Sequence, residues 1–277
     1  DQLDLLGDAD AVDSLEREVA AHLGFNRVLD SVGQVYPRSL DLDVVAALVQ
    51  AVSGPSSAAT TIRLMAGHEL VTEGFRPGQV GSSAMPHKMN ARSTERIGSL
   101  RVVLDGYLTM AAGLAGRQWN EGDVSCSAVR RVMLPDAFLA TDGLLQTALA
   151  VFEELGVFPA VIDAELRRDL PFLATTRMLT ASVDAGLGRE VAHELIKEHA
   201  VAAALARRDR SGGADLVDRV ADDPRLPLDR PAIEALLARP ADFTGTAGAQ
   251  IDRVIERAEK VVARHPEAAA TISEVRV

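Results

Sequence analysis

Apolar residues recur at spacings of three and four along most of this chain, the pattern typical of amphipathic helices. Three long segments show it most clearly: from Asp41 or Asp43 to Val71, from Ser93 to Leu114, and from about Val129 to Leu155. Gly54-Pro55 lies inside the first segment. Because proline costs about 3 kcal/mol in a helix interior, we expect a kink or a short break there.

Shorter helical segments flank the long ones. Asp8 to Asp10 can cap a helix that stops at Gly24, and Gly156–Pro159 marks a break after the third long segment. The predicted helices beyond that break are Ala160–Arg168, Pro171–Ala185, Arg189–Arg208, Ala214–Val220, Pro231–Ala238 and Thr246–Ala263. No segment shows strand alternation. The pattern therefore predicts an all-α fold: an elongated long-helix bundle in residues 1–156, followed by a smaller C-terminal helical domain in residues 157–277.

Composition narrows the class of protein further. AVILMFWYC residues make up 47% of the 277 positions but aromatics only 4%, which favours closely packed helices. A net charge of −11 argues against a nucleic-acid surface. We see no apolar run of about 20 residues, the length that spans a bilayer, so we do not expect membrane insertion. We also see no charged-then-apolar signal sequence, so we do not expect secretion. The single Cys126 excludes an internal disulfide framework and fits a cytoplasmic protein.

The stretch between the first two long segments carries the candidate chemistry. Residues 78–90 read Gly-Gln-Val-Gly-Ser-Ser-Ala-Met-Pro-His-Lys-Met-Asn, with the glycines and proline of a loop. Asn90 is a good N-cap for the helix that follows. A hydroxyl, a cation and free backbone N–H groups at a helix N-terminus suit an anion. On composition alone, this stretch is explained equally well as an ordinary linker between two helices.

The pattern in this loop resembles the signature of the fumarase/aspartase superfamily, Gly-Ser-Ser-x-Met-Pro-x-Lys-x-Asn. Residues 81–90 meet every fixed position of that signature. His87 stands at one of its variable positions, so it is not assigned a role. One departure follows the loop, where Ala91 replaces the proline that is frequent in the family.

Within the superfamily, the chain most resembles the adenylosuccinate lyase family. Further matching segments are Gln34–Arg38, Thr61–Leu64, Glu73 with Phe75, Arg92–Arg96, Leu170–Thr175 and Phe243–Gln250. The resemblance covers most of that family's central bundle and its C-terminal domain, but not its first domain. Because the sequence begins with Asp1, we expect that an N-terminal portion is missing.

The resemblance implies a β-elimination that cleaves a C–N bond and releases fumarate from succinyl-purine nucleotides. A base must take a weakly acidic Cβ proton, and cations and N–H groups must stabilise the resulting carboxylate charge. By resemblance Ser82 is the base, and Ser83, Lys88, Asn90 and Arg96 bind the substrate. The sequence does not indicate what activates the Ser82 hydroxyl.

Residues 123–131 resemble the family segment that binds the nucleotide phosphate through Ser-x-x-x-Arg. Ser127 and Arg131 match it. The family usually has a further arginine just before the aspartate, where this chain has Gly122; Arg130 is a candidate to replace it. The alternative is an ordinary capped helix start with exposed arginines.

The resemblance also implies a homotetramer whose active sites draw residues from three subunits, with no metal and no organic cofactor. The family's acid histidine lies upstream of every matched segment, so we expect the isolated chain to be inactive. Two alternatives stay open. One is another superfamily lyase, acting on argininosuccinate, fumarate, aspartate or carboxymuconate, and the other is a non-catalytic helical oligomerisation scaffold.

Overall fold

The computed structural model describes residues 2–33, 35–74, 84–85, 87–118, 124–209 and 215–270. They are predominantly helical, which confirms the all-α prediction. The long-helix part comprises α1 Gln2–Leu6, α2 Ala9–His22, α3 Ser39–Ala51, α4 Ser53–Gly67, β1 Val71–Thr72, α5 Arg92–Leu114 and α6 Cys126–Glu154. The rest comprises β2 Gly156–Val157, α7 Pro159–Leu173, α8 Thr175–Asp184, α9 Arg189–Asp209, α10 Leu216–Ala221, α11 Arg230–Leu237, a 3₁₀ turn Pro240–Thr244, α12 Ala247–Val262 and α13 Pro266–Ala269.

The chain groups into two compact units, neither of them continuous in sequence. The first unit takes Asp1–Thr61 and Arg92–Leu149, and the second takes Ile62–Ala91 and Ala150–Val277. The domain division predicted after residue 156 stays a prediction.

In the first unit, α3 packs against α5. The Arg101 guanidinium of α5 donates to the Ser53 hydroxyl at 3.2 Å, close to the point where α3 gives way to α4. That interruption falls at Val52, so the expected break beside Gly54-Pro55 is confirmed. Pro55 lies in the first turn of α4, where a missing N–H costs no helical hydrogen bond. The buried apolar side chains of this unit include Val45, Val49, Val52, Ile97, Leu104, Ala111, Met133, Ala137 and Leu144.

In the second unit, β1 and β2 form a short antiparallel pair, with Val71 opposite Val157 and Thr72 opposite Gly156. The prediction that the first long helical segment extends to Val71 was therefore wrong. Helix α4 ends at Gly67, and Glu69 follows with φ 60, a left-handed conformation that turns the chain out of the helix. Two-residue strands are too short to show alternation, which is why the sequence pattern did not reveal them.

Helices α7 to α11 close around one core in the second unit. Its fully buried members include Ala174, Met178, Ala192, Leu216, Val220 and Ile233. Pro171 was expected in a first helical turn, but it lies near the end of α7, which already begins at Pro159. The missing hydrogen bond is tolerated because burial stabilises this end of the helix: Leu170 is buried, and Phe172 packs against the core.

Two helical stretches, Ser39–Gly67 and Arg92–Leu114, are long and apolar enough to cross a membrane by length and composition alone, each with a mean hydropathy of 1.2. Core helices of soluble helical proteins pass the same test. The expectation that the protein does not enter a membrane stays a prediction.

Candidate active site

The predicted base, Ser82, and its neighbour Ser83 lie outside the described residues. Their predicted roles therefore stay predictions. The end of the signature loop is described from His87 onward, and it contains the two predicted substrate-binding residues Lys88 and Asn90.

Lys88 and Asn90 line one cleft of about 540 Å³ in the second unit. The end of α4, β1, the segment 87–91 and the start of α7 form its walls. The full lining is Ala66, Gly67, Glu69, Val71, Thr72, Glu73, His87, Lys88, Met89, Asn90, Ala91, Phe158 and Val161. A volume of this size suits a small-molecule ligand.

The charges of this cleft are mixed. His87 and Lys88 are exposed, and the backbone N–H of Lys88 donates to the Met85 carbonyl at 3.0 Å, which closes a turn at the base of the loop. Glu73 is only 5% exposed, whereas Glu69 is exposed. An ammonium and a side-chain amide can together bind a carboxylate. Glu69 and Glu73 were not predicted as site residues, because no spacing rule links them to the loop.

The wall that carries Glu73 is tightly built. Gly74 has φ 112, and a Cβ there would lie 2.9 Å from Glu154 Oε2. A Cβ on Gly156 would lie 2.9 Å from the Thr72 methyl group. Phe158 N also donates to the Leu70 carbonyl at 2.9 Å, extending the contact between the two strands. Gly74 therefore lets the chain after β1 approach the end of α6, and Gly156 lets β2 approach β1.

Helix α5 begins at Arg92, so Ala91 rather than Asn90 directly precedes it. The predicted cap residue is thus displaced by one position, within the usual spread of helix boundaries. Arg96 is exposed on this helix in the first unit.

Ser127 and Arg131, the predicted phosphate contacts, lie in the first turns of α6 in the first unit. Ser127 is half-buried, and its N–H donates to the Val124 carbonyl at 2.9 Å. Arg131 is exposed. Their spacing of four residues places both side chains on the same helix face. Gly122 lies outside the described residues.

Arg130 belongs to a cluster that the sequence did not predict. Its Nε donates to Asp41 Oδ2 at 2.8 Å, and its Nη2 donates to the Tyr36 hydroxyl. Tyr36 in turn donates to Asp41 Oδ1 at 2.8 Å, and the Arg38 guanidinium lies over the Tyr36 ring at 4.7 Å from its centroid. We call these four residues the anchor cluster. Arg130 is thus engaged within the chain, which argues against its use in place of the arginine missing at Gly122.

Ionisation of the anchor cluster follows from its burial. Burial raises the pKa of the Tyr36 phenol, and the hydrogen bond to Asp41 raises it further. Partial burial acts to lower the pKa of Arg130, but the hydrogen bond and charge of Asp41, together with the interactions with Tyr36, outweigh it, so the pKa is raised. The phenol stays neutral and the guanidinium stays charged, which are the forms that this network needs.

Solved structures with the same arrangement of helices define the class. The 3-carboxy-cis,cis-muconate lactonizing enzyme from Pseudomonas putida matches with a TM-score of 0.70 and 22% identity, over 90% of this chain and 55% of that chain. Fumarate lyase from Mesorhizobium sp. BNC1 matches with a TM-score of 0.68 and 20% identity, over 87% of this chain and 52% of that chain. The chain therefore has the helical fold of the fumarase/aspartase superfamily.

Sequence relatives identify the family within that fold. Residues 171–254 match the family model for the adenylosuccinate lyase C-terminus. Adenylosuccinate lyase of Saccharomyces cerevisiae is 36% identical over 91% of this chain and 52% of its own length, and that of Schizosaccharomyces pombe is 34% identical over the same shares. That of Bacillus subtilis is 33% identical over 68% of this chain and 44% of its own length. The chain belongs to the adenylosuccinate lyase family, and it spans about half the length of the curated relatives it matches.

Proposed function

We propose that the protein containing this chain cleaves adenylosuccinate, and the related succinyl-carboxamide ribotide, into fumarate and the corresponding purine-pathway nucleotide. The observation that supports this most is the 36% identity to a named adenylosuccinate lyase along 91% of the chain. The structural neighbours share only the fold, so they do not favour the other superfamily reactions over this one.

The proposed chemistry is a β-elimination. Ser82 removes the Cβ proton, and the electron pair left on carbon forms the C=C bond of fumarate. The electron pair of the breaking C–N bond leaves with the nitrogen, which takes a proton from an acid that the rest of the whole protein supplies. Lys88 and Asn90, which line one cleft, would hold the succinyl carboxylate where negative charge develops, with Ser83 and Arg96 as further substrate contacts.

The phosphate of the nucleotide is assigned to Ser127 and Arg131. A hydroxyl and a guanidinium on one helix face, close to the start of α6, suit a phosphate monoester. Because Arg130 is held by Asp41, the proposed contact relies on Arg131 as the cation of this helix turn.

Assembly into a homotetramer with shared active sites is also part of the proposal. Its support is the apolar surface of the long helices, which no contact within the described chain covers. Large exposed side chains on α5 and α6 are Val102, Val103, Val132, Phe138, Leu139, Leu145, Leu149 and Phe152. Exposed apolar surface of this extent marks an interaction site. A cytoplasmic location, the lack of a cofactor and the inactivity of the isolated chain stay predictions.

The test is fumarate release from adenylosuccinate by the whole protein in which this chain occurs. Ser82→Ala should lower kcat by at least ~10²–10⁴-fold, the usual value of a catalytic base. Lys88→Ala should lower it by about 10²–10³-fold, as loss of a charge-stabilising group does. Lys197→Ala is the matched control, because that lysine is exposed on α9 and pairs with Glu194 at 3.2 Å.

Two results would refute the proposal. Turnover of argininosuccinate or fumarate, but not of adenylosuccinate, would assign the protein to another superfamily reaction. A folded, oligomeric protein with no lyase activity on any of these substrates would leave only the scaffold role.

A further inference from the structure

The anchor cluster joins two parts of the first unit that are distant in sequence. Tyr36 and Arg38 come from the segment that leads into α3, and Asp41 lies in the first turn of α3. Arg130 comes from α6, 89 residues after Asp41. We propose that Tyr36 and Asp41 are positioning residues: by holding Arg130 they orient Ser127 and Arg131 toward the phosphate of the substrate. This inference rests on the proposed function.

Asp41 is the centre of this arrangement. Its side chain is 4% exposed, and each of its two oxygens accepts a hydrogen bond, Oδ1 from Tyr36 and Oδ2 from Arg130. A buried carboxylate with both oxygens occupied fixes its partners strongly, because loss of either partner leaves an uncompensated buried group.

Tyr36 is held in turn by charge and by stacking. The guanidinium groups of Arg38 and Arg130 lie 4.7 and 5.4 Å from the centre of its ring. A cation over an aromatic face is attracted by the ring quadrupole. The phenol therefore has a fixed position from which it contacts both Asp41 and Arg130.

The constraint on Arg130 passes to its neighbours because they share the first turns of one helix. Helix α6 begins at Cys126, so Ser127 and Arg131 flank Arg130 at three residues before and one residue after. Terminal turns fray more readily than helix interiors. The hydrogen bonds of Arg130 with Asp41 and Tyr36 restrict the rotation of this turn. They therefore also restrict the direction in which Ser127 and Arg131 point.

Arg130 is less suited than Arg131 to bind the phosphate, because its charge is paired with Asp41 and its Nε and Nη2 already donate to Asp41 and Tyr36. Arg131 is exposed and next to it in sequence. Arg130 thus holds the start of α6 in place, and Arg131 contacts the phosphate. Pre-organisation of this kind lowers the entropy lost when a ligand binds.

The experiment compares adenylosuccinate with succinyladenosine, the same substrate without its phosphate, in the whole protein. Asp41→Asn should lower kcat/KM for the nucleotide by about 10–100-fold, the usual effect of removing a group that orients a ligand contact. Tyr36→Phe, which removes only one hydroxyl, should lower it by roughly 3–10-fold. Neither change should alter kcat/KM for the nucleoside by more than about twofold. Asp43→Asn, exposed on the same helix, is the matched control.

An equal loss on both substrates would overturn the proposal, because a purely structural role affects the whole enzyme and not the phosphate alone. Should Asp41→Asn fail to fold, as judged by circular dichroism, the milder Tyr36→Phe variant decides the question on the same two substrates. A nucleotide-specific loss supports the proposal, and no change in either variant refutes it.

Binding measurements distinguish a failure of this proposal from a failure of the proposed function. If the wild-type protein turns over neither substrate, the proposed function fails, and calorimetry with AMP and adenosine then tests the positioning role. AMP should bind more tightly than adenosine, and Arg131→Ala and Asp41→Asn should both remove that preference. Wild-type protein that shows no preference for AMP, or an Asp41→Asn variant that keeps it, would overturn the inference.

Discussion

The long helices α5 and α6 differ from the short helices α7 to α11 in how far their apolar side chains are buried. The short helices enclose a core in which residues such as Met178, Leu216 and Ile233 are almost fully buried. On the long helices, Val102 is 70% exposed and Leu139 is 68% exposed, although Leu104 and Leu144 nearby are fully buried. Each long helix thus buries part of its apolar surface and leaves another part exposed to solvent.

This contrast separates two ways of stabilising helices. Helices α7 to α11 share one buried core within a single chain, so the stability of that core is expected to be independent of protein concentration. The long helices leave apolar faces that cost free energy in water, which favours a second copy of the chain as partner. The predictions below test that difference, from the largest expected effect to the smallest.

The largest effect is expected at the exposed face of α6. Leu139→Glu should dissociate the assembled protein into a smaller species at micromolar concentration, because burying an unpaired charge in an apolar interface costs several kcal/mol. Sedimentation velocity measures the mass, and circular dichroism checks that the helices persist.

Val191→Glu is the matched control, since Val191 is an exposed valine on α9 in the short-helix region. It should leave the mass unchanged. A wild-type protein that is monomeric at micromolar concentration, with intact helices, would contradict the proposed difference between the two regions.

The second effect concerns the C-terminal core. Ile233 has no exposed surface, so Ile233→Ala should lower the free energy of unfolding by about 2–5 kcal/mol. Urea denaturation at two protein concentrations should show the same loss at both. A loss that grows on dilution would mean that this core, too, depends on assembly.

The third effect tests the wall of the cleft. Gly74→Ala should destabilise the protein by about 1–3 kcal/mol, because a side chain at φ 112 is strained and its Cβ would press on Glu154. Gly248→Ala is the control: Gly248 lies in α12, and a Cβ there meets no atom within 4 Å. Thermal unfolding measures both variants. Equal melting temperatures for Gly74→Ala and wild type would show that the wall has room to adjust.

The smallest effect is electrostatic. The hydrogen bond from Arg168 lowers the pKa of Asp169 to about 2, below its ordinary value of 3.8. Partial burial opposes this shift, and the further hydrogen bond from Arg207 adds to it. A lowered folded-state pKa means that the carboxylate stabilises the protein above pH ~4, and that this contribution is lost as the pH falls toward 2. Because Asp169 is 39% exposed, solvent screening limits the contribution to below about 1 kcal/mol.

Urea midpoints at pH 5 and pH 3 measure this effect. Asp169→Asn should lose less stability between the two pH values than the wild-type protein does. Asp163→Asn is a suitable comparison, because Asp163 pairs with Arg167 on the exposed surface of the same helix. A steeper pH dependence in the Asp169→Asn variant would contradict the assigned sign.

Much of the helical framework could be predicted from local pattern. Helix α5 was predicted from Ser93 to Leu114 and begins one residue earlier, at Arg92. Asp8 was predicted as a cap, and its carboxylate accepts a hydrogen bond from the Ala11 N–H at 2.8 Å. Such features are local, because a helix and its cap depend on residues within one or two turns.

The candidate site was predictable only in part. The motif singled out Lys88 and Asn90, and both line the same cleft, but it gave no reason to include Glu73, which is buried in the cleft wall. Glu73 is placed there by the pairing of β1 with β2, whose partners are about 85 residues apart in the chain.

The sequence by itself determined which segments are helical, which faces of them are apolar, and which residues form the signature of the family. Only the tertiary structure decided that Asp41 would meet Arg130, that α7 to α11 would share one buried core, and that residues such as Val102 and Leu139 of α5 and α6 would stay exposed. The physical reason is the range of the forces involved. Helical periodicity is set by hydrogen bonds between residues four apart, whereas burial and buried ion pairs depend on which distant segments come together, and an apolar face does not specify its partner.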